Sequence, residues 1–467
     1  MKRKLIIPAF AVRKSHRSLS RVMSRPVWYG GVSVFHAFAR RCSVASSRRG
    51  RLGWPVACET SGMKFEEPVP LIHWIVSKGL EGTSETQLLE GLCGHLTAAD
   101  LPLLRVNISQ PTLHPVIGGH LFIWQRETGT AHQEDWQRNV AEAGADYSRS
   151  PFEHMMTSGI QRLRCTLATG EGCDEFPMLE RFRGAGATDY FALQTDFGDA
   201  RSLGPARYIL TSWLADAPEG FDESHIEAIE LLSPALALAV KGTSTYRIAR
   251  SVIETYLGRD ASRRVLGGTI ERGAGETIRA ALWYSDLEGF TKLADTTPRD
   301  QLLGLLHDYF ECIVTTVHEY QGEVLKFIGD GLLAMFNLSN DAASCRAALE
   351  AADRVSGRVA ELSARRRADG LPVTRYSLAL HLGDVLYGNI GARDRLDFTV
   401  VGPAVNEASR IEAMCRALDQ ELVISSAFAQ AAMGSSDRLV SLGRYVLRGV
   451  RKPQELFTLV RPEDIET

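Results

Sequence analysis

Two aspartates, Asp286 and Asp330, stand where a hard divalent cation could be held. Asp286 closes the apolar run RAALWYSDL, and Asp330 lies between KFIG and GLLAMF. Carboxylates brought together at strand ends repel unless a cation lies between them, and Mg²⁺ prefers such oxygen ligands. Mg²⁺ with a nucleoside triphosphate is the chemistry this implies. A second pair, Asn406 and Arg410, is spaced i, i+4 in PAVNEASRIEAMCRAL, so both project from one helical face. An amide and a guanidinium so placed suit orienting a ribose and neutralising a phosphoryl oxygen. Taken alone, such a pair is more often a solvated face.

The elements around these residues follow from periodicity. RAALWYSDL is a buried strand by its continuous apolar character. Thr296-Thr297-Pro298 is a helix-start signature, after which Leu302, Leu303, Leu306, Phe310, Ile313, Val314 and Val317 recur at helical spacing until Gly322. EVLKFI and LLAMF flank Asp330-Gly331, a strong hairpin signal that puts Asp330 at a tight turn. A helix through DAASCRAALEAADRVSGRVAELSARRR follows, then strands RYSLALHLG, DVLYGNIG and RLDFTVVG, then the helix opened by Pro403. Between Asp286 and the first helix, Leu287-Glu288-Gly289-Phe290-Thr291 turns into a short helical stretch. The backbone amides around Gly289, Phe290 and Thr291 can cradle a triphosphate.

The chain of 467 residues has room for about two to four domains. Its 45% hydrophobic and 23% charged residues are those of a soluble globular protein. The net charge of −3 averages over unequal segments and gives no reason to invoke nucleic acid. Eight cysteines without a CxxC pair suit a reducing cytoplasm, not a disulfide scaffold or a zinc site. No apolar run is long enough to span a bilayer, so a cytoplasmic location is expected. Residues 1–62 carry no acid before Glu59. They read as a basic disordered tail, an organellar targeting segment, or an extension upstream of a start at Met63.

Residues 65–240 form a separate α/β domain by their strand runs LLRVNI, HLFIW, DYFALQTDF and ARYILTSWL. Ser84-Glu85-Thr86-Gln87 is a capping-box pattern. Trp124, Trp136 and Trp213 line either a small-molecule pocket or the core, and His73, His114, His120 and His154 lack ligand spacing. The arrangement resembles a GAF-like sensory domain, closed by the helix GFDESHIEAIELLSPALALAV. That resemblance implies a small-molecule or protein signal as partner. Helical pattern runs from about Asp222 to Leu257 with a break at Gly242-Thr243. Its seam of Ile226, Ile229, Leu232, Leu236, Val240, Ile248, Val252 and Ile253 suits a dimerising helix or a helix packed on its own domain. Residues 241–277 are then a helical signalling linker that ends in a Gly- and Arg-rich connector.

YSDLEGFT, KFIGDG and FTVVGPAVNEASRIE, in this order, resemble the class III adenylate and guanylate cyclases over residues 278–460. The resemblance implies an α+β catalytic domain with a ferredoxin-like, palm-type βαββαβ core that pairs head to tail in a homodimer. It implies Asp286 and Asp330 as ligands of two Mg²⁺ or Mn²⁺ ions, and Lys326 and Thr399 as the purine-selecting pair. Asn406 and Arg410 would act on the transition state from the opposite protomer. Lys326 can only donate and the Thr399 hydroxyl can accept, which fits the N1 acceptor and N6 donor of adenine. Thr399 also resembles the threonine-bearing subgroup (class IIIb-like). The pattern departs from the family near YVLRGVRKPQELF, where Arg448, Arg451 and Lys452 compete for the phosphate-binding role and Arg448 is chosen. Pro403 replaces an acid common after the glycine. The implied function is an adenylate cyclase acting on ATP; the alternatives are a guanylate cyclase or a non-catalytic, nucleotide-sensing partner. FIGDG lacks the acidic signature of a diguanylate cyclase.

Overall fold

Alternating burial along the strands builds two sheets, joined by one long helix. The computed structural model describes residues 68–138, 150–170, 176–198, 204–432, 438–450 and 453–460. The chain divides into Met1–Thr60 and Ser61–Thr467. The basic segment 1–62 lies outside the described residues, as do Arg451, Lys452, Cys42, Cys58 and Cys173.

The first sheet belongs to the N-terminal part. Helices α1 (Val69–Glu81) and α2 (Glu85–Ala98) precede β1 (Leu103–Pro111), β2 (Ile117–Gln125) and β3 (Ala131–Gln137). Next come α3 (Pro151–Ser158), β4 (Arg162–Cys165), α4 (Pro177–Gly184), β5 (Asp189–Asp196), β6 (Tyr208–Ala215) and α5 (Glu223–Leu257). The strands are antiparallel in the order β3-β2-β1-β6-β5-β4. Val106, Ile108, Phe122, Trp124 and Trp213 bury one face beneath α1, α2 and α5. Two of the three tryptophans are thus core, and Trp136 alone stays partly exposed. At the start of α2 the Ser84 side chain accepts from the Gln87 amide. The Gln87 side chain turns to the Ser84 hydroxyl instead of the cap amide, so half of the expected capping box forms.

Helix α5 corrects one expectation. It runs unbroken through Pro234 and Gly242, and the break at Gly242-Thr243 is absent. Tertiary contacts outweigh the weak local propensity there. The Thr243 hydroxyl donates to the buried Glu85 carboxylate at 2.9 Å, and Arg247 pairs with the same group at 2.6 Å. Ile226, Ile229, Leu232, Leu236 and Val240 pack into the N-terminal core, so most of the proposed seam is covered by its own domain. The connector after α5 is also more ordered than a Gly/Arg-rich loop, because it contains α6 (Arg259–Leu266). Ala261 and Val265 of α6 pack on the second sheet, and Asp260 accepts from the Tyr387 hydroxyl at 2.9 Å.

The second sheet begins with β7 (Gly275–Leu287), followed by α7 (Phe290–Thr296), α8 (Arg299–Glu319), β8 (Glu323–Ile328), β9 (Gly331–Phe336) and α9 (Asp341–Ala368). It continues with β10 (Tyr376–Gly391), β11 (Leu396–Val401), α10 (Pro403–Leu418), β12 (Leu422–Ser425), α11 (Ser426–Ala432), β13 (Leu439–Tyr445) and β14 (Gln454–Leu459). The order is β13-β14-β12-β10-β7-β9-β8, with β11 alongside the far half of β10. Strand periodicity splits β7 cleanly: Ala281, Trp283 and Leu287 face α8 and α9, while Ala280 and Leu282 face β11, α10 and α6.

Two details differ from the periodicity reading. RYSLALHLG and DVLYGNIG are one strand, because β7 pairs with β10 without interruption from Tyr376↔Leu287 to Gly388↔Gly275. The buried stripe of α8 is Leu305, Tyr309, Ile313, Thr316 and Val317, and Leu303 is 55% exposed. The face rotates because the Tyr309 hydroxyl reaches Ser363 and the Thr374 carbonyl across α9.

Candidate active site

The hairpin β8–β9 delivers Asp330 to Asp286. Its two-residue turn is Gly329-Asp330, since Ile328 pairs with Gly331, and Gly329 has φ +64°. The turn therefore lies one residue earlier than the Asp330-Gly331 signal suggested, and glycine serves its first central position. Gly331 begins β9 instead. A Cβ there would lie 2.5 Å from the Ser285 carbonyl oxygen and 2.9 Å from Asp286 Oδ1. Its missing side chain is what lets β9 close against the end of β7.

The two carboxyls act on each other. Burial, then the charges of Asp330 and Glu412, push the Asp286 carboxyl up to about 6. A protonated Asp286 can also donate a hydrogen bond to Asp330. Glu412, on α10, had no role in the sequence reading. It accepts from the Ser377 hydroxyl, and Ser377 pairs with Asp286 across β10 and β7. Burial raises the Glu412 carboxyl, against the Ser377 bond and Arg416. The sequence offered only an acid inside SRIE; its nearness needs α10 to cross β10 and β7.

Among the described residues, no group of three His, Cys, Asp or Glu is arranged to hold a metal. A pair of carboxylates still fits Mg²⁺, which commonly takes one or two protein carboxylates plus substrate phosphates. A proton competes with any such cation. Mn²⁺ affinity measured by calorimetry should therefore fall as the pH drops from about 7 to about 5. The metal-free protein should respond with the opposite sign. Its folded state holds the Asp286 proton more tightly than the unfolded chain does, so this group adds stability as the pH falls through about 6. Identical Mn²⁺ affinity at both ends of that range would contradict the pairing.

Lys326 reaches this face of the sheet through a bulge. Val324 pairs with Ala334 and Lys326 with Leu333, so Leu325 is an inserted residue. Without the insertion Lys326 would share the α8 face with Val324; with it, Lys326 joins the row Leu333–Tyr284 on the Asp286 side. Thr399 sits on β11, which approaches β8. Its side chain is buried, and its hydroxyl has no hydrogen-bond partner among the described residues. Such an orphaned polar atom is costly and calls for a ligand or water.

Pro403 opens α10 as expected, with Asn406 exposed and Arg410 half-buried one turn apart. The Arg410 guanidinium rests on Gly449, within 3.4 Å of where a Cβ would be. Arg448 is exposed beside it in the loop between β13 and β14. Arg410 is not among the largest influences on Asp286. Gly289 takes a left-handed conformation and caps α7, whose first amides receive no side-chain cap. Phe290 is half-buried there and Thr291 is exposed.

Residues 274–461 match the adenylate and guanylate cyclase catalytic domain. An uncharacterized protein of Mycobacterium tuberculosis is 29% identical over 218 residues, 46% of this chain and 38% of that protein. An adenylate cyclase of Anabaena cylindrica is 31% identical over 159 residues, 33% of this chain and 31% of that enzyme. The chain thus spans well under half the length of these curated relatives. Among solved structures, the adenylyl cyclase CyaB from P. aeruginosa aligns at 25% identity and a TM-score of 0.37, over 40% of this chain and 96% of that one. The guanylyl cyclase Cya2 aligns at 24% identity and a TM-score of 0.36, over 40% and 96%. The second sheet, with the aspartate pair at its turn, is therefore a class III adenylate/guanylate cyclase catalytic domain.

Proposed function

We propose that the chain is an adenylate cyclase, converting ATP to 3′,5′-cyclic AMP and pyrophosphate in a homodimer. The observation that carries this reading is the Asp286–Asp330 pair, two facing carboxyls of which one is pushed up by burial and the other's charge. Asp286 and Asp330 would hold two Mg²⁺ or Mn²⁺ ions, which when bound acidify the ribose 3′-hydroxyl and offset the triphosphate charge. The amides around Gly289, Phe290 and Thr291 receive phosphate oxygens at the uncapped start of α7. Asn406 orients the ribose. Arg410 meets the charge that builds on the α-phosphoryl oxygens, and Arg448 adds a second cation nearby.

Because one chain carries both half-sites, a head-to-tail homodimer would have two equivalent active sites. Exposed Phe327 and Ile328 on β8 support this, as do Leu386 and Val401, which lie opposite each other on the β10–β11 ribbon. These are apolar side chains for a second copy to cover. We read residues 65–240 as a GAF-like sensory domain that answers a small molecule or protein, and 241–277 as the linker that passes the signal. No helix among the described residues is long and apolar enough to cross a membrane. Cys93, Cys312, Cys345 and Cys415 form no disulfide among the described residues, which suits a cytoplasmic enzyme.

The test is product analysis of the purified chain with ATP or GTP and Mg²⁺ or Mn²⁺. Cyclic AMP in excess is expected. Cyclic GMP in excess would favour the guanylate cyclase alternative, and neither product would overturn both. Base choice rests on Lys326 donating to adenine N1 and the buried Thr399 hydroxyl accepting from N6. In Lys326→Glu the ATP:GTP turnover ratio should drop at least about tenfold, since a mismatched buried hydrogen bond costs about 1–3 kcal/mol. An unchanged ratio would remove Lys326 from the purine site.

A further inference from the structure

Strand β1 is polar where a purely structural strand would be apolar. Its even positions, Val106 and Ile108, fill the core under α2 and α5. Its odd positions, Arg105, Asn107 and Ser109, turn to the other face of the sheet, where Ser212 of β6 pairs directly with Asn107. Asn107, Ser109 and Ser212 are each at most 8% exposed, yet they border a cavity of about 290 Å³. Aromatic side chains wall it: Phe152 from α3, Phe182 from α4 and Trp136 from β3. The Trp136 ring lies against Gly118 and Gly119, where any Cβ would sit 2.2–2.8 Å from the indole. The glycine pair therefore makes room for that wall.

Arg105 is the one cation among the residues that line this cavity, which Glu134 and Asp135 also border. Arg105 Nε donates to Asn107 Oδ1 at 3.1 Å, and its guanidinium lies 5.4 Å from the centre of the Phe182 ring. Among the described residues it enters no ion pair. The acids at the rim are engaged elsewhere: Asp135 with His120 and Gln133, each at 2.7 Å, and Glu134 with His132 at 3.3 Å. What remains is a forked donor and an amide on a polar floor, under an aromatic roof. We propose that this cavity binds a small ring-bearing organic anion, its acid group held by Arg105 and Asn107 and its ring packed against Trp136 and Phe182. A guanidinium fork matches carboxylate and phosphate oxygens alike. Burial disfavours the Arg105 charge, and only Glu134 opposes this from a distance, so an anion would relieve it.

The site is tested by binding, so the result stands apart from cyclase activity. The full chain is titrated with indole-3-carboxylate, benzoate and phenyl phosphate, and with indole-3-carboxamide and benzamide as neutral counterparts, by calorimetry and Trp fluorescence. An acid should bind at least about tenfold more tightly than its amide. The carboxylates against phenyl phosphate decide which acid group the fork prefers. Arg105→Gln should abolish the difference between acid and amide, and Arg105→Lys, which keeps the charge but loses the fork, should retain part of it. Circular dichroism checks that both variants fold. No binding by any acid at millimolar concentration, equal binding of acid and amide, or full affinity in a folded Arg105→Gln protein would each overturn the assignment.

Discussion

Asp286→Ala should lose more activity than any other single change in the chain, beyond the roughly 10²–10³-fold cost of removing one preorganised donor. The substitution removes half of the carboxylate pair and leaves Asp330 alone to face the triphosphate. Cation affinity should fall with it, because Mg²⁺ sites of this kind have few protein ligands to spare. Folding should not suffer. Asp286 is a carboxyl held against its preference by burial and by Asp330, so relieving that repulsion leaves the metal-free melting temperature unchanged or higher. The split between dead catalysis and intact stability is what a ligand role predicts and a packing role does not. Turnover within about tenfold of the parent, measured at saturating Mn²⁺, would remove Asp286 from the metal site.

Much of the candidate site was legible because its residues sit at places where local rules are strong. A buried strand that ends in an acid, a Gly-Asp-Gly turn and a Pro-opened helix with Asn406 and Arg410 one turn apart all depend on short-range sterics. The remainder depends on pairing that no window of sequence contains. Lys326 shares the Asp286 face of the sheet only because Leu325 bulges out of register with β9. Glu412 joins the carboxyls only because Ser377 is aligned with Asp286 across β10 and β7.

The N-terminal half shows the same division. Strands β1, β2, β5 and β6 carry apolar runs and could be read. The sequence AHQEDWQ of β3 could not, since most of its residues are exposed and it is held by pairing to β2. Arg105, Asn107 and Ser109 were hidden inside LLRVNI for a related reason. Alternation shows which residues share a face, but not that the face opens on a cavity. Continuity of α5 through Gly242 was likewise invisible, because Glu85 and Arg247, 162 positions apart, brace that stretch.

Arg410→Ala should lower kcat by roughly 10²–10³-fold, as loss of a donor aimed at transition-state charge does, with ATP binding little changed. The more telling experiment mixes it with Asp286→Ala. If Arg410 completes the site of the opposite protomer, each homodimer of either variant is defective twice over. A heterodimer then combines both lesions in one site and leaves the other intact. Random reassortment makes half of the dimers mixed, each with one good site of two, so about a quarter of the parent activity should return. If Arg410 instead served the Asp286 of its own chain, every site in the mixture would carry one lesion and activity would stay low. Within one chain Arg410 packs on Gly449, and the groups acting most strongly on Asp286 are Asp330 and Glu412. Failure of the mixture to recover, with subunit exchange verified by native mass spectrometry, would place Arg410 in its own protomer's site and remove the need for a second chain.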